Sequence, residues 1–168
     1  MASVRLSETL LETIADSLMV VSEEFERWGE PYVRGPGLYV LIVDGTPASY
    51  SDPMGNNTWP VDDCPTVTDD IEQFIETAKT VGATRDGAIV ITPDGRINEQ
   101  MIRLHGLNAT DQSSENRERP LEYEDWMGAR HMSALEASTR TNVVAAITLS
   151  EENGRVSVFV DGEHRTVK

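Results

Sequence analysis

The apolar residues near the start of the chain recur at spacings of three and four, which is the period of an amphipathic helix. Ser7 precedes most of them and can accept hydrogen bonds from the free amides of a first turn. The pattern therefore predicts a helix over residues 7–28, whose apolar stripe fits the core of the domain or, alternatively, an oligomer contact. The stripe consists of Leu10, Ile14, Leu18, Val21, Phe25 and Trp28.

The segment that follows changes from a helical to a strand pattern. The run Leu38–Val43 is apolar on both faces and is followed by Asp44 and Gly45, which predicts a buried central strand. Residues 46–66 contain Pro, Gly, Asn and Asp without any period. They predict a long loop.

A second helix is predicted over residues 68–80. It would begin at Thr68, with Asp69 and Asp70 in its first turn, where carboxylates interact favourably with the helix dipole. Its expected buried positions are Ile71, Phe74, Ile75 and Ala78.

The middle of the chain has the pattern of a hairpin. Apolar stretches at 88–92 and 96–104 lie on either side of Pro93-Asp94-Gly95, and Asp-Gly favours a tight turn because its residues tolerate positive φ. Residues 106–125 are polar and have neither a strand nor a helix period. They predict an exposed loop.

The last third of the chain predicts one more helix and a second pair of strands. The helix would begin near Gly128, and a buried strand would follow over 141–149. Asn153-Gly154 would turn the chain back into a strand over 155–160. The positions expected to be buried in the helix are Met132, Leu135 and Thr139.

Together these elements predict an α/β fold with a mixed central β-sheet flanked by helices. The 168 residues suit a single domain with one hydrophobic core. Within it, residues 1–36 would form an N-terminal helix and connection, and residues 37–168 the rest of the domain.

The charge balance narrows the possible partners. The chain has 29 Asp and Glu against 14 Lys and Arg, a net charge of −15, and its lysines are Lys79 and Lys168. Such an acidic surface favours a halophilic cytoplasm, with an ordinary acidic cytosolic protein as the alternative. Nucleic acid is not expected as a partner because no cluster of basic residues appears. A small-molecule ligand is expected instead.

Cysteine content and hydropathy indicate in which cellular compartment the protein is expected. Cys64 is the single cysteine, which rules out an internal disulfide and a multi-cysteine zinc site and favours an unreactive thiol. The longest apolar runs, 38–43 and 143–149, are much shorter than the ~20 residues that cross a bilayer. No secretory signal is apparent at the N-terminus, so a cytoplasmic protein without a membrane partner is expected.

Three polar stretches at the ends of predicted elements can carry chemistry. They are Asp86-Gly87-Ala88, Gly128-Ala129-Arg130-His131 and Ser150-Glu151-Glu152-Asn153-Gly154. Each alone is typical of a turn or a helix start. Together they supply the parts for a nucleoside triphosphate: a carboxylate for a metal or hydroxyl, a guanidinium and imidazole at a helix N-terminus for phosphates, and two further carboxylates for a divalent ion.

The order and spacing of these stretches resemble the diadenylate cyclase domain family, over about residues 37–165. That family has a DGA motif, an RHR motif preceded by Gly-Thr, and Ser-Glu-Glu followed by Gly. The corresponding stretches here are residues 86–97, 128–134 and 150–158. The chain departs from the family at Met132, which replaces the second arginine of RHR, and at Ala129, which replaces the threonine. The loop before this motif is also longer.

The resemblance implies that each subunit holds one ATP and that two subunits meet face to face in a homodimer or larger homo-oligomer. Each 3′-hydroxyl would then attack the α-phosphate of the opposite nucleotide. Asp86 would activate the hydroxyl, Leu104 would pack on adenine, and Asp86 and Glu152 would bind Mn²⁺ or Mg²⁺. The other residues implied at the ATP site are Gly87, Ala88, Gly128, Ala129, Arg130, His131, Ser150 and Glu151.

Two other hypotheses remain open from the sequence. A catalytically degenerate nucleotide-binding or regulatory module would keep the fold without turnover, and Met132 is the residue that favours it. In an unrelated acidic domain the same motifs would be turns and helix caps.

Overall fold

The computed structural model describes residues 2–105 and 121–167. The predicted exposed loop at 106–125 therefore lies mostly outside the described residues. Within the described part of the chain, no helix has the length and apolar character needed to span a membrane.

The N-terminal helix packs its apolar stripe into the domain. Helix α1 spans Ala2–Glu24, and Leu10, Ile14, Leu18 and Val21 are buried in the core. The interpretation of the stripe as core is thus confirmed. The predicted bounds were wrong, because Ser7 lies inside the helix and the chain leaves it before Phe25 and Trp28, whose rings contact each other edge to face with centroids 4.6 Å apart.

A mixed five-stranded sheet forms the centre of the domain, as predicted. Its strands are β1 Leu38–Val43, β3 Ile89–Ile91, β5 Val143–Leu149, β6 Val156–Val160 and β7 Glu163–Thr166. They lie in the order β3-β1-β5-β6-β7. Strand β1 pairs with β3 in parallel and with β5 antiparallel, and the remaining pairs are antiparallel. Strand β7 was not predicted, because its polar residues have no apolar alternation.

Helices cover both faces of this sheet. Helix α2 spans Ile71–Thr84 and α3 spans Ala129–Ala137. Alternate residues of β1 point to opposite faces, so Val40 and Ile42 join the cluster that holds α1 and α2, whereas Leu41 joins the cluster around α3. The result is a three-layer α/β domain whose central strand is buried on both faces.

The segment predicted as a long loop at 46–66 contains a short 3₁₀ turn, Ala48–Tyr50, and a strand. Strand β2 spans Ser51–Thr58 and pairs antiparallel with β4, Gln100–Leu104, in a separate two-stranded sheet. The sequence does not indicate this strand, which contains residues such as Asp52 and Gly55. Half of the β2 residues are exposed and none is buried, so the strand has no apolar period.

The hairpin predicted around Pro93-Asp94-Gly95 forms only in part. The turn is present, since the N–H of Thr92 donates to the carbonyl of Arg96 at 2.8 Å. Beyond it the two strands separate, β3 joining β1 and β4 joining β2. Isolated bridges connect Ile91 with Ile97 and Ala88 with Ile102. Residues near Asp86 are thereby held close to strand β4.

Three predictions about helix ends and burial were wrong. Helix α2 is capped by Asp70, whose side chain accepts a hydrogen bond from the N–H of Gln73 at 3.1 Å, and not by Thr68. Ile71 is 45% exposed and Met132 is 39% exposed, because each lies on the solvent side of its helix. The other positions expected to be buried, Phe74, Ala78, Leu135 and Thr139, are buried, and Ile75 is half-buried.

Candidate functional site

The first motif connects the end of α2 to strand β3. Gly87 has φ +109°, and a Cβ there would lie 3.0 Å from the carbonyl oxygen of Ile102, so only glycine suits this position. The N–H of Asp86 donates to Oδ1 of Asn57 at 2.9 Å. Asp86 is exposed. The backbone around this carboxylate is thus fixed while its side chain remains accessible.

Gly87 and Ala88 open onto a cavity of about 240 Å³, here called the apolar slot. Leu104, at the end of β4, forms one wall. The slot therefore brings together residues of the first and second motifs with Leu104. Its lining residues are Tyr39, Met54, Gly87, Ala88, Ile102, Arg103, Leu104, Ala129, Arg130 and Ser133.

Tyr39 contributes a polar atom to the slot. Its hydroxyl lies 3.0 Å from Oγ of Ser133 on α3. Burial is the main reason why the pKa of Tyr39 lies far above its ordinary value, so the phenol stays neutral. The slot consequently combines a mainly hydrocarbon surface with neutral hydrogen-bonding groups and two arginines, Arg103 and Arg130, which suits a planar heterocycle that carries an anionic group.

The second motif forms the first turn of α3. The N–H of Gly128 donates to Nδ1 of His131 at 3.3 Å, so the proton of a neutral imidazole must be on Nε2. His131 is only 8% exposed. Its burial, followed by the charges of Arg130 and Arg155, lowers its pKa, whereas Glu152 acts in the opposite direction. His131 is therefore a neutral hydrogen-bond donor near neutral pH.

The third motif is a tight turn between β5 and β6. The N–H of Gly154 donates to the carbonyl of Ser150 at 3.0 Å, and the N–H of Ser150 donates to the carbonyl of Arg155 at 2.9 Å. Oγ of Ser150 accepts a hydrogen bond from the N–H of Glu152 at 3.3 Å. These bonds hold Glu151 and Glu152 at the end of the sheet that faces α3.

The second and third motifs meet in a cavity of about 280 Å³, here called the polar cavity. Sequence reasoning did not include Arg155 or Trp126 in the site, although Arg155 directly follows the third motif. The lining residues are Trp126, Gly128, Ala129, Arg130, His131, Ser150, Glu151, Glu152, Asn153 and Arg155. Seven of the predicted site residues thus line this one cavity.

A larger cavity of about 560 Å³, here called the N-terminal cavity, lies between α1, α2 and the motifs. It is lined by Asp86, Arg130 and Glu151 together with Arg34 and Gly37 of the connection after α1. Asp86 therefore shares a cavity with Glu151. Asp86 and Glu152, the predicted pair of metal ligands, line different cavities.

The connection after α1 contacts the motifs directly. Arg34 forms an ion pair with Glu151 at 3.3 Å, and the N–H of Gly35 donates to the carbonyl of Glu151 at 2.9 Å. A Cβ on Gly37 would overlap the guanidinium of Arg130. Sequence reasoning missed these contacts, although two glycines flanking Pro36 before a buried strand are a signal of close backbone approach.

Arg130 lines all three cavities, so this one residue borders the apolar slot, the polar cavity and the cavity that Asp86 lines. Among the described residues, no group of three or more His, Cys, Asp or Glu side chains is close enough to hold a metal ion alone. Carboxylate oxygens are nonetheless the donor type that Mg²⁺ and Mn²⁺ prefer, and such ions are commonly held by one or two carboxylates and completed by the phosphates of a ligand.

Comparison with known proteins identifies the family. The model of the nucleotide-binding domain described as "DisA bacterial checkpoint controller nucleotide-binding", abbreviated DAC, matches residues 63–164. The chain therefore belongs to this family, the diadenylate cyclase domain family indicated by its motifs. The match includes the three motifs. A search of the curated proteins found no match.

Solved structures share the fold. A hypothetical membrane spanning protein from Bacillus cereus is similar with a TM-score of 0.59 at 15% identity, over 94% of this chain and 62% of that one. The present chain thus corresponds to less than two thirds of that protein. A double mutant of DacA from Staphylococcus aureus is similar with a TM-score of 0.51 at 18% identity, over 95% of this chain and 86% of that one.

Proposed function

We propose that this protein is a diadenylate cyclase, which joins two ATP molecules into cyclic di-AMP and releases two pyrophosphates. The observation that carries the proposal is the position of Arg130, which lines the apolar slot, the polar cavity and the cavity that holds Asp86. A nucleoside triphosphate needs a surface for its base, donors for its phosphates and a base for its hydroxyl. These three parts adjoin one another here.

Each part has an assigned role in the proposed reaction. Adenine occupies the apolar slot against Leu104. Arg130, His131 and Ser150 bind phosphates, helped by the free amides at the start of α3. Asp86 accepts the proton of a 3′-hydroxyl, whose oxygen attacks an α-phosphorus while the bond to pyrophosphate breaks. Two such displacements close the ring, and correct positioning supplies much of the acceleration.

A divalent cation completes this site. Asp86 and Glu152 are the proposed ligands of Mn²⁺ or Mg²⁺, and Glu151 is a further candidate because it lines both the N-terminal and the polar cavity. When bound there, such a cation would supply positive charge to offset that of the triphosphate and of the departing pyrophosphate.

The reaction requires a second copy of the chain. A 3′-hydroxyl and the α-phosphate that it attacks belong to different ATP molecules, and the described site offers one apolar slot per chain. We therefore propose a homodimer or larger homo-oligomer that brings two sites face to face. The halophilic, cytoplasmic setting stays a proposal as well, supported by the net charge of −15.

A catalytically degenerate nucleotide-binding module is the second candidate. It is favoured by Met132, which is exposed on α3 at the position where the family has its second arginine. This function keeps ATP binding and lacks turnover.

One experiment separates the two candidates. Pure protein is incubated with ATP and Mn²⁺ in high salt, and cyclic di-AMP is measured by mass spectrometry, with metal omitted as the control. Metal-dependent cyclic di-AMP is the expected result. ATP binding without product would support the degenerate module, and the absence of both would contradict any nucleotide role.

The proposed assembly has its own test. Specific activity should fall as the protein is diluted below its dimer dissociation constant. Low salt should have the same effect, because the acidic subunits then repel each other. Light scattering measures the particle size in parallel. Constant specific activity in a monomeric particle would contradict the face-to-face arrangement.

A further inference from the structure

Arg155 lines the polar cavity in a fixed position without a carboxylate partner among the described residues. Its guanidinium carbon lies 4.3 Å from the centroid of the Trp126 ring, a stacked geometry that leaves the edge donors of the guanidinium available. The N–H of Arg155 also donates to Oδ1 of Asn153 at 3.0 Å. The stack and this turn hold the arginine at the wall of the cavity.

The neighbouring His131 has an unused donor. Its Nε2 is buried and has no hydrogen-bond partner among the residues that the structure describes. Trp126 contacts His131 edge to face, with ring centroids 5.0 Å apart, so one indole ring touches both Arg155 and His131. The charge of Arg155 contributes to the lowered pKa of His131, as expected for close neighbours.

These groups favour an anion with several oxygens. Two guanidinium groups, a neutral imidazole N–H and the amides at the start of α3 surround about 280 Å³. Planar guanidinium groups bind phosphate through paired hydrogen bonds. The carboxylates in the same wall do not cancel this, because Glu151 is paired with Arg34 and Glu152 is exposed.

Arg155 differs from Arg130 in its position relative to the base. Arg130 lines the apolar slot as well as the polar cavity, whereas Arg155 lines only the polar cavity of the three. In a nucleotide whose base lies in the slot, the phosphates nearest the base therefore lie beside Arg130. The phosphates farthest from the base reach Arg155.

We infer that Arg155 is a further phosphate-binding residue, which holds the part of ATP that leaves as pyrophosphate. The inference rests on the proposed function for the identity of the ligand. When the 3′-oxygen forms its bond to the α-phosphorus, the bond from that phosphorus to the bridging oxygen breaks and its electron pair passes to pyrophosphate. Arg155 stabilises this increasing negative charge.

The test compares two substitutions that remove the same charge. Arg155→Gln removes the proposed contact, whereas Arg165→Gln removes an exposed arginine of β7 that pairs with Glu12. The probes are 3′-deoxyATP, which carries the triphosphate but cannot react, and AMP. Binding is measured by calorimetry in high salt with Mn²⁺, and thermal melting of each variant is recorded.

We expect Arg155→Gln to weaken 3′-deoxyATP binding by about tenfold to hundredfold, the value of one charge-assisted hydrogen bond. AMP binding and the melting temperature should not change, and Arg165→Gln should behave as wild type. Arg155→Lys, which keeps the charge without the planar stack, should fall between. This variant also tests the inference if the glutamine variant fails to fold.

The outcomes separate this inference from the proposed function. A wild-type protein that forms no cyclic di-AMP but binds 3′-deoxyATP in an Arg155-dependent way would overturn the cyclase proposal and support the phosphate contact. Cyclic di-AMP formation together with unchanged 3′-deoxyATP affinity in Arg155→Gln would overturn the inference alone. Equal losses for AMP and 3′-deoxyATP would overturn it too, since they indicate a structural role.

Discussion

The apolar slot and the polar cavity share Arg130 but are constructed differently. The slot takes its walls mainly from strands and their ends, including Tyr39, Ala88 and Leu104. Backbone hydrogen bonds fix these walls: Ala88 donates to the carbonyl of Ile102 at 2.7 Å, and Ile102 donates back at 3.0 Å. The position of a base in the slot is therefore set by the fold itself.

The polar cavity lies outside the sheet, between the first turn of α3 and the β5–β6 turn. Its side chains are held by contacts with other side chains. Trp126 contacts His131 and Arg155 within the cavity, and Glu151 pairs with Arg34, which lies outside it. Single substitutions in the polar cavity should therefore weaken the binding of phosphates more than the binding of a base in the apolar slot. Four predictions test this difference, beginning with the largest effect.

Asp86→Asn should separate chemistry from binding. Asp86 is exposed and asparagine is well tolerated in turns, so the fold and the affinity for 3′-deoxyATP should be unchanged. Loss of a general base should lower the rate of cyclic di-AMP formation by at least about 100-fold. Asp94→Asn, which changes another exposed Asp that precedes a glycine in a turn, is the matched control. Full activity of Asp86→Asn would contradict the assigned role.

Gly37→Ala should act mainly through Arg130. The new Cβ would overlap the flexible end of the Arg130 side chain and would lie 3.1 Å from Cβ of Glu151. Because the arginine can move aside, the free energy of unfolding should change by less than about 1 kcal/mol. Displacement of the guanidinium should weaken ATP binding by about tenfold, without an equal effect on AMP. Calorimetry with both nucleotides measures this difference. An equal loss for the two would indicate that the slot itself had moved.

Met132→Arg tests a position outside both cavities. Its side chain is 39% exposed, so an arginine there would not be buried unpaired, and stability should stay within about 0.5 kcal/mol. We expect ATP affinity to rise by less than about tenfold, because exposed charge contacts are weak. Met132→Gln, which adds no charge, is the control. A clear fall in the melting temperature would show that residue 132 contributes to the core after all.

The smallest effect concerns the pH dependence of stability. Burial and two neighbouring arginines lower the pKa of His131, so the unfolded chain takes up a proton at a higher pH than the folded protein does. Stability should therefore fall as the pH decreases below about 6.5, the ordinary pKa of histidine. Melting curves at a series of pH values should show a smaller fall for His131→Gln. An equal fall in melting temperature for the wild type and for His131→Gln would contradict a neutral, buried His131.

Patterns that arise from burial were predictable. Strand β1, the apolar stripe of α1 and the buried strand β5 face the core, so their sequences carry the period or the continuous apolar run that burial requires. The strands β2 and β7 contain exposed and half-buried residues but no buried one, and nothing in their sequences distinguishes them from loops. Likewise, Ile71 is apolar but exposed, because it lies on the solvent side of α2, directly after the N-cap residue Asp70.

The three motifs of the candidate site could be recognised from the sequence, because each is a short continuous stretch of the chain. The family match over residues 63–164 agrees with the motifs, and the structure brings Gly87, Leu104 and Arg130 to one slot. The role of each residue, the metal ligands and the division at residue 36 stay predictions. Arg34 and Arg155 could not be assigned from local sequence, because their significance lies in partners distant along the chain or across a cavity. Gly37 did have a local signal, since it and Gly35 flank Pro36 before a buried strand.

The sequence by itself determined the layered α/β class, the central strand and the three motifs, because hydrophobic period and turn chemistry are local properties. The tertiary structure alone decided that Arg130 lies between three cavities and that the connection at Arg34 reaches Glu151. Such contacts join residues far apart along the chain, 117 positions for the Arg34–Glu151 pair. Their geometry depends on how the sheet and helices pack, which no local pattern encodes.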